Sequence, residues 1–155
     1  MAKTKISAGL VMYRRCRNQL EVLLMHPGGP LHAHRDDGAW TIPKGEVERG
    51  EELLAAAERE FQEETSRSPH GPYIPLGSVT QKSGKIVHAW AFEGDCEPAT
   101  LCSNTFRMEW PPRSGRMQEF PELDRAEFFD LPQARRKANP AQVALFDELE
   151  RQLGQ

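Results

Sequence analysis

Hydrophobic positions open the chain in two runs, Ile6 to Arg14 and Leu20 to His26, split by the polar stretch Arg15-Cys16-Arg17-Asn18-Gln19. Two apolar runs joined by so short a polar link predict a β-hairpin. Pro27-Gly28-Gly29-Pro30 ends it, because two prolines and two glycines support no regular element, and the polar run His32 to Gly38 carries the loop on toward Trp40. After Gly50 the period changes. Leu53, Leu54, Ala57 and Phe61 recur at helical spacing, with Glu51 and Glu52 expected in the first turn, where the helix dipole favours negative charge. The helix so predicted, Glu51 to Glu64, ends before Ser68-Pro69-His70-Gly71-Pro72.

Two further strands are predicted at Ile74 to Gln81 and Lys85 to Phe92, the first pushed to a sheet edge by Pro75 and Gly77. From Glu93 to Arg116 there is little periodicity, which in a compact domain signals a functional loop or a strand the pattern does not declare. Glu127-Phe128-Phe129 reads as a last short strand. Asp130-Leu131-Pro132 and Asn139-Pro140 read as helix caps with a tolerated proline, the second opening a final helix striped by Val143, Phe146, Leu149 and Leu153.

Composition narrows the class. The chain has 155 residues, 38% hydrophobic and 28% charged, which predicts one soluble globular domain spanning residues 1–155, as a monomer or homodimer. A net charge of -3 provides no basic field to hold nucleic acid, so a small-molecule partner is favoured. Met1-Ala2-Lys3-Thr4-Lys5 lacks the features of a secretory leader, and no apolar run approaches the ~20 residues of a membrane helix. Three cysteines, Cys16, Cys96 and Cys102, without Cys-x-x-Cys spacing, read as reduced thiols of a cytoplasmic protein.

The chemistry concentrates on the predicted helix. Glu60, Glu63 and Glu64 stand at i, i+3 and i+4, so three carboxylates share one face and repel. A hard divalent cation removes that repulsion, and oxygen-only ligands suit Mg²⁺ or Mn²⁺ rather than zinc. Taken alone, the same pattern also suits a solvated face. The spacing from Gly45 decides between the two: Gly-x5-Glu51-x7-Arg59-Glu60-Phe61-x-Glu63-Glu64 resembles the Nudix box. Ser66 stands where that pattern has glycine and Arg67 where it has an apolar residue, which puts the helix exit in question, since glycine there supplies a left-handed residue at low cost.

The resemblance implies an α/β fold, the Nudix α/β/α sandwich with a mixed sheet between helices. It implies a Mg²⁺-dependent hydrolase (Mn²⁺ a possible substitute) that cleaves a diphosphate linkage by water attack on phosphorus. By the same resemblance Glu63 and Glu64 bind the metal, and Glu60 completes its shell or serves as general base. Glu51 pairs with Arg59 to hold loop to helix, and Gly45 lets the backbone turn so that the Lys44 carbonyl reaches the metal. The acid from a distant loop that the family adds is sought at Glu119 or Glu122.

The segment Trp40-Thr41-Ile42-Pro43-Lys44-Gly45 is similar to the Nudix branch acting on diadenosine polyphosphates, with Lys44 a candidate phosphate contact and Trp40 equally readable as core. Arg35, Arg113 and Arg116 are further candidates for phosphate. Ser103 to Arg116 resembles a stretch of a bacterial Nudix subgroup, in the region expected to set specificity. His32 and His34 share His-x-His spacing without a third ligand in view. Two other classes stay open: a Nudix-fold nucleotide-binding or sensor module without turnover, which the intact glutamates oppose, and a pyrophosphohydrolase of RNA 5′ ends, which the charge balance opposes.

Overall fold

The structure, a computed structural model, describes residues 5–154. The predicted hairpin forms from β1 (Ile6–Cys16) and β2 (Gln19–Pro27), both longer than their apolar runs. Their two-residue turn, Arg17-Asn18, has φ of 52° and 65°, the paired left-handed geometry that matches strand twist in a tight hairpin. Strand β1 is buried on both faces. Ala8, Leu10 and Met12 point into one core layer and Val11 and Tyr13 into the other, as strand alternation demands.

Around β1 the six-stranded sheet assembles with β3 (Lys44–Glu46), β4 (Ile74–Thr80), β5 (Ile86–Glu93) and β8 (Leu123–Asp130). The order is β4-β5-β1-β2-β8, with β3 paired to β1 off that path. Strands β1 and β5 run parallel and the other pairs antiparallel, so the sheet is mixed. Strand β4 lies at the edge as predicted, with its register broken between Pro75 and Gly77. Helix α1 (Leu53–Thr65) buries Ala56, Ala57 and Phe61 against one face of the sheet. Helices α2 (Leu131–Lys137) and α3 (Val143–Leu153) cover the other with Leu131, Ala134, Leu145, Phe146 and Leu149. The result is the α/β/α sandwich.

Three expectations change. Glu51 and Glu52 are not in the first turn: Glu52 is the extended N-cap residue and Glu51 precedes it, so Glu51 belongs to the loop. The stretch from Glu93 to Arg116 holds an undeclared strand: β6 (Thr105–Glu109) pairs with β7 (Met117–Pro121) in a separate hairpin, after a 3₁₀ turn at Pro98–Thr100. The last strand extends well beyond residues 127–129. Asp130 caps α2 by accepting from the Gln133 N–H, while Asn139 caps a 3₁₀ turn at Pro140–Gln142 before α3 begins. No helix among the described residues is long and apolar enough to cross a membrane.

Candidate active site

The site forms where α1 meets β3. Arg59 is its organising cation. Its Nε and Nη2 donate to the two oxygens of Glu51 at 2.8 and 3.0 Å, a bidentate fork that ties the loop before the helix to its middle. Its Nη1 donates to Glu60 at 2.9 Å and to Glu63 at 3.2 Å, and Nη2 also reaches the Glu46 carbonyl at 3.1 Å. The five N–H groups of the guanidinium match these five bonds. Glu51 additionally accepts from the Glu48 N–H at 3.0 Å, and with Arg59 beside it the carboxyl falls to about 2.

Glu64 faces inward, 7% exposed, and accepts from the Lys44 N–H at 2.9 Å. Burial pushes its carboxyl up to about 8 against that hydrogen bond, and the charges of Glu60 and Glu122 raise it further. Glu60 is raised as well, first by burial and then by Glu63 and Glu122, with Arg59 opposing. Carboxylates that burial and one another hold back from ionising gain from an added cation, and their oxygen donors suit Mg²⁺ or Mn²⁺. Among the described residues no three acidic, histidine or cysteine side chains stand as a ready metal cluster, because Glu60 and Glu63 are turned onto Arg59. The donor chemistry fits; closing on one cation requires Glu60 and Glu63 to swing off the guanidinium.

Gly45 serves differently from the expected backbone turn. Its φ is not left-handed; a Cβ there would stand 2.0 Å from Cδ of Glu60, so glycine makes room for the carboxylate. The Lys44 side chain is largely buried: burial lowers its ammonium, the charge of Lys85 adds to that, and the charges of Glu64, Glu60 and Glu46 oppose it. Lys85 is the neighbour whose charge sequence reasoning does not bring to Lys44. It follows an ordinary Gly84 turn, and nothing in its surroundings marks it.

Of the two loop acids, Glu122 is the one whose charge acts on Glu60 and Glu64. Its backbone is fixed on both sides, its N–H donating to the Asn104 carbonyl and its own carbonyl accepting from Gly28, each at 2.8 Å. Glu119 lies exposed on β7 opposite Arg107. Arg35, Arg113 and Arg116 are not gathered at the carboxylates by any described contact. Arg35 offers its carbonyl to buried His26, and Arg113 and Arg116 sit exposed at the tip of the β6–β7 hairpin. Trp40 is core: 1% exposed, edge-on to His26 and Phe129, its Nε1 donating to Asp36.

A family model described as the NUDIX domain matches residues 3–149. The chain belongs to this family. Among curated proteins it resembles the asymmetrical bis(5'-nucleosyl)-tetraphosphatase of Caenorhabditis elegans, 42% identical over 60 residues. That match spans 39% of this chain and 39% of the relative. Among solved structures the Nudix chain is similar to C. elegans Ap4A hydrolase, with TM-score 0.61 and 25% identity over 97% of this chain and 99% of that one. It is also similar to the NUDIX domain of Shewanella oneidensis NrtR complexed with ADP ribose, with TM-score 0.66 over 99% and 90% of the two chains; at 14% identity this likeness concerns the fold alone.

Proposed function

We propose that this chain is a divalent-metal-dependent pyrophosphohydrolase that cleaves the diphosphate linkage of a nucleoside diphosphate derivative, with a dinucleoside polyphosphate such as diadenosine tetraphosphate as substrate. The observation that carries this reading is the meeting of Glu60, Glu63 and Glu64 around Arg59 and the Lys44 N–H, with Glu122 close enough to act on two of them.

Glu60, Glu63 and Glu64 would hold Mg²⁺, with Mn²⁺ as substitute, aided by the Lys44 carbonyl and by Glu122 in place of Glu119. When bound, such an ion supplies charge neutralisation on the phosphates and a more acidic water. The chain's own residues do the remainder. Glu60, half-buried and raised by its surroundings, is suited to take the proton of the attacking water. Oxygen attacks one phosphorus, the bridging P–O bond breaks with its electron pair, and the leaving phosphate departs in line. Lys44 offers an ammonium group for the phosphate chain. Glu51 touches no reacting atom; it holds Arg59, which orients Glu60 and Glu63.

A screen of nucleoside triphosphates, dinucleoside polyphosphates, nucleotide sugars and diphosphoinositols with Mg²⁺ or Mn²⁺ tests the reading by product identity. Two phosphate-bearing products from a nucleotide are expected. No turnover of any of them would sink it and leave a binding module.

A further inference from the structure

Beside the carboxylates lies a cleft of 280 Å³ between the loop following β2 and the β6–β7 hairpin, lined by Gly28, Gly29, Leu31, Phe106, Met108 and Glu122. Its walls are mostly apolar, with His32 and Glu122 as the polar side chains that also line it. The alternation along β6 sends Phe106 and Met108 to the same face, toward the loop, and Arg107 to the other. Opposite them Leu31 is 62% exposed, the most exposed large apolar side chain among the described residues. An uncovered leucine lining the same cleft as an aromatic ring is surface awaiting a partner.

The cleft is built rather than incidental. Gly28 lies so close to the hairpin that a Cβ would stand 2.0 Å from the Pro121 carbonyl oxygen, and its N–H donates to the Glu122 carbonyl. Gly29, at φ +88°, brings its backbone against the Phe106 ring, where a Cβ would stand 2.7 Å from Cζ. Two adjacent glycines thus press the loop flat onto the hairpin and fix the gap width. Glu122, its backbone held between Gly28 and Asn104, lines the cleft, and its charge acts on Glu60 and Glu64.

We infer that this cleft seats one nucleobase of the substrate, stacked on Phe106 and covered by Leu31. This rests on the proposed nucleotide chemistry. The occupant needs a flat apolar body and an attached polyanion that reaches the acids past Glu122, which is the description of a nucleoside phosphate. At 280 Å³ the cleft falls just below the ~300–1,000 Å³ of sites that enclose whole drug-sized ligands, so it takes one base and leaves the rest of a dinucleotide outside. Phe106 supplies stacking that tolerates several bases, and Met108 a polarisable edge.

Titration calorimetry with AMP, GMP, CMP and UMP, and with base-free tripolyphosphate, tests this in Mg²⁺ buffer. Phe106→Ala is expected to weaken the best monophosphate about tenfold, the scale of losing one base–aromatic stack, while Phe106→Trp retains it. Leu31→Ala, a change at an exposed site that leaves folding intact, is expected to weaken it severalfold. Tripolyphosphate affinity stays constant across the set. Wild-type protein that binds none of the four, variants that bind them as tightly as wild type, or parallel loss of tripolyphosphate would each overturn the assignment. Turnover is read separately: base-dependent binding without hydrolysis keeps the cleft and removes the reaction, and hydrolysis indifferent to Phe106 does the reverse.

Discussion

The carboxylate of Glu60 occupies the space in which a side chain at position 45 would begin, with both its oxygens within 2.4 Å of a Cβ built there. Gly45→Ala therefore expels Glu60 without demanding a forbidden backbone. The variant is expected to keep its melting temperature within a few degrees and to lose about 100-fold or more in kcat, as displacement of a reacting group by an ångström does. A variant of normal rate would show that Glu60 is not part of the chemistry.

Glu64 should couple metal binding to pH. With its carboxyl at about 8 in the folded chain, against 4.5 for an ordinary glutamate, the metal-free folded state holds a proton that the unfolded chain releases. Metal-free stability from this group therefore falls as pH rises from about 4.5 to about 8 and is flat beyond. A divalent ion held by Glu64 would have to displace that proton, so on the proposed reading Mg²⁺ affinity is expected to climb across the same window. Glu64→Gln is expected to fold, to lose most Mg²⁺-dependent turnover and to flatten both profiles in calorimetric titrations at several pH values.

Glu51 has the opposite sign. Arg59 holds it at about 2, below its ordinary 4.5, so its contribution is fully present above pH 4.5 and is lost as pH falls toward 2. Acid unfolding of Glu51→Gln should begin from a lower plateau and show a shallower slope in that window. Arg59→Lys, a point charge without the fork, is expected to lower activity about 10–100-fold, as removal of an outer partner of a metal site does. Activity equal to wild type would remove Arg59 from the positioning of Glu60.

The two loop acids separate cleanly in a pair of variants. Glu122→Gln is expected to reduce Mg²⁺ affinity or kcat at least about tenfold, and Glu119→Gln to change neither. The reverse result would move the distal acid onto the hairpin.

Helix exit gives a stability test. Ser66 takes the left-handed conformation at φ 64°, ψ 19°, and its hydroxyl donates to the Cys102 carbonyl at 2.6 Å. Glycine relieves the backbone but loses that bond, so Ser66→Gly should lie within about 1 kcal/mol of wild type. Ser66→Ala keeps the strain and loses the bond, for about 1–2 kcal/mol of destabilisation in chemical unfolding.

Ser66 also illustrates what the chain makes legible. The departure from glycine raised the question of the helix exit, and the answer, a serine bonded across to residue 102, depends on a contact 36 residues away. The first hairpin, α1, the edge position of β4 and the Asp130 cap were readable because each is declared by local pattern. Phe106, Met108 and Trp110 alternate with polar residues, yet over so few positions, beside Pro111-Pro112, that the strand stays hidden. Glu119 and Glu122 are indistinguishable as letters. Only the turn between β7 and β8, where Gly28 and Asn104 hold the Glu122 backbone, brings the charge of one of them to bear on Glu60 and Glu64.

Arg59, lastly, is an internal counter-ion. Three glutamates on adjoining turns and loops would resist collapse, yet the guanidinium beside them distributes one positive charge over Glu51, Glu60 and Glu63. The chain thus carries, on the same helix as two of these acids, the positive charge that offsets part of their mutual repulsion.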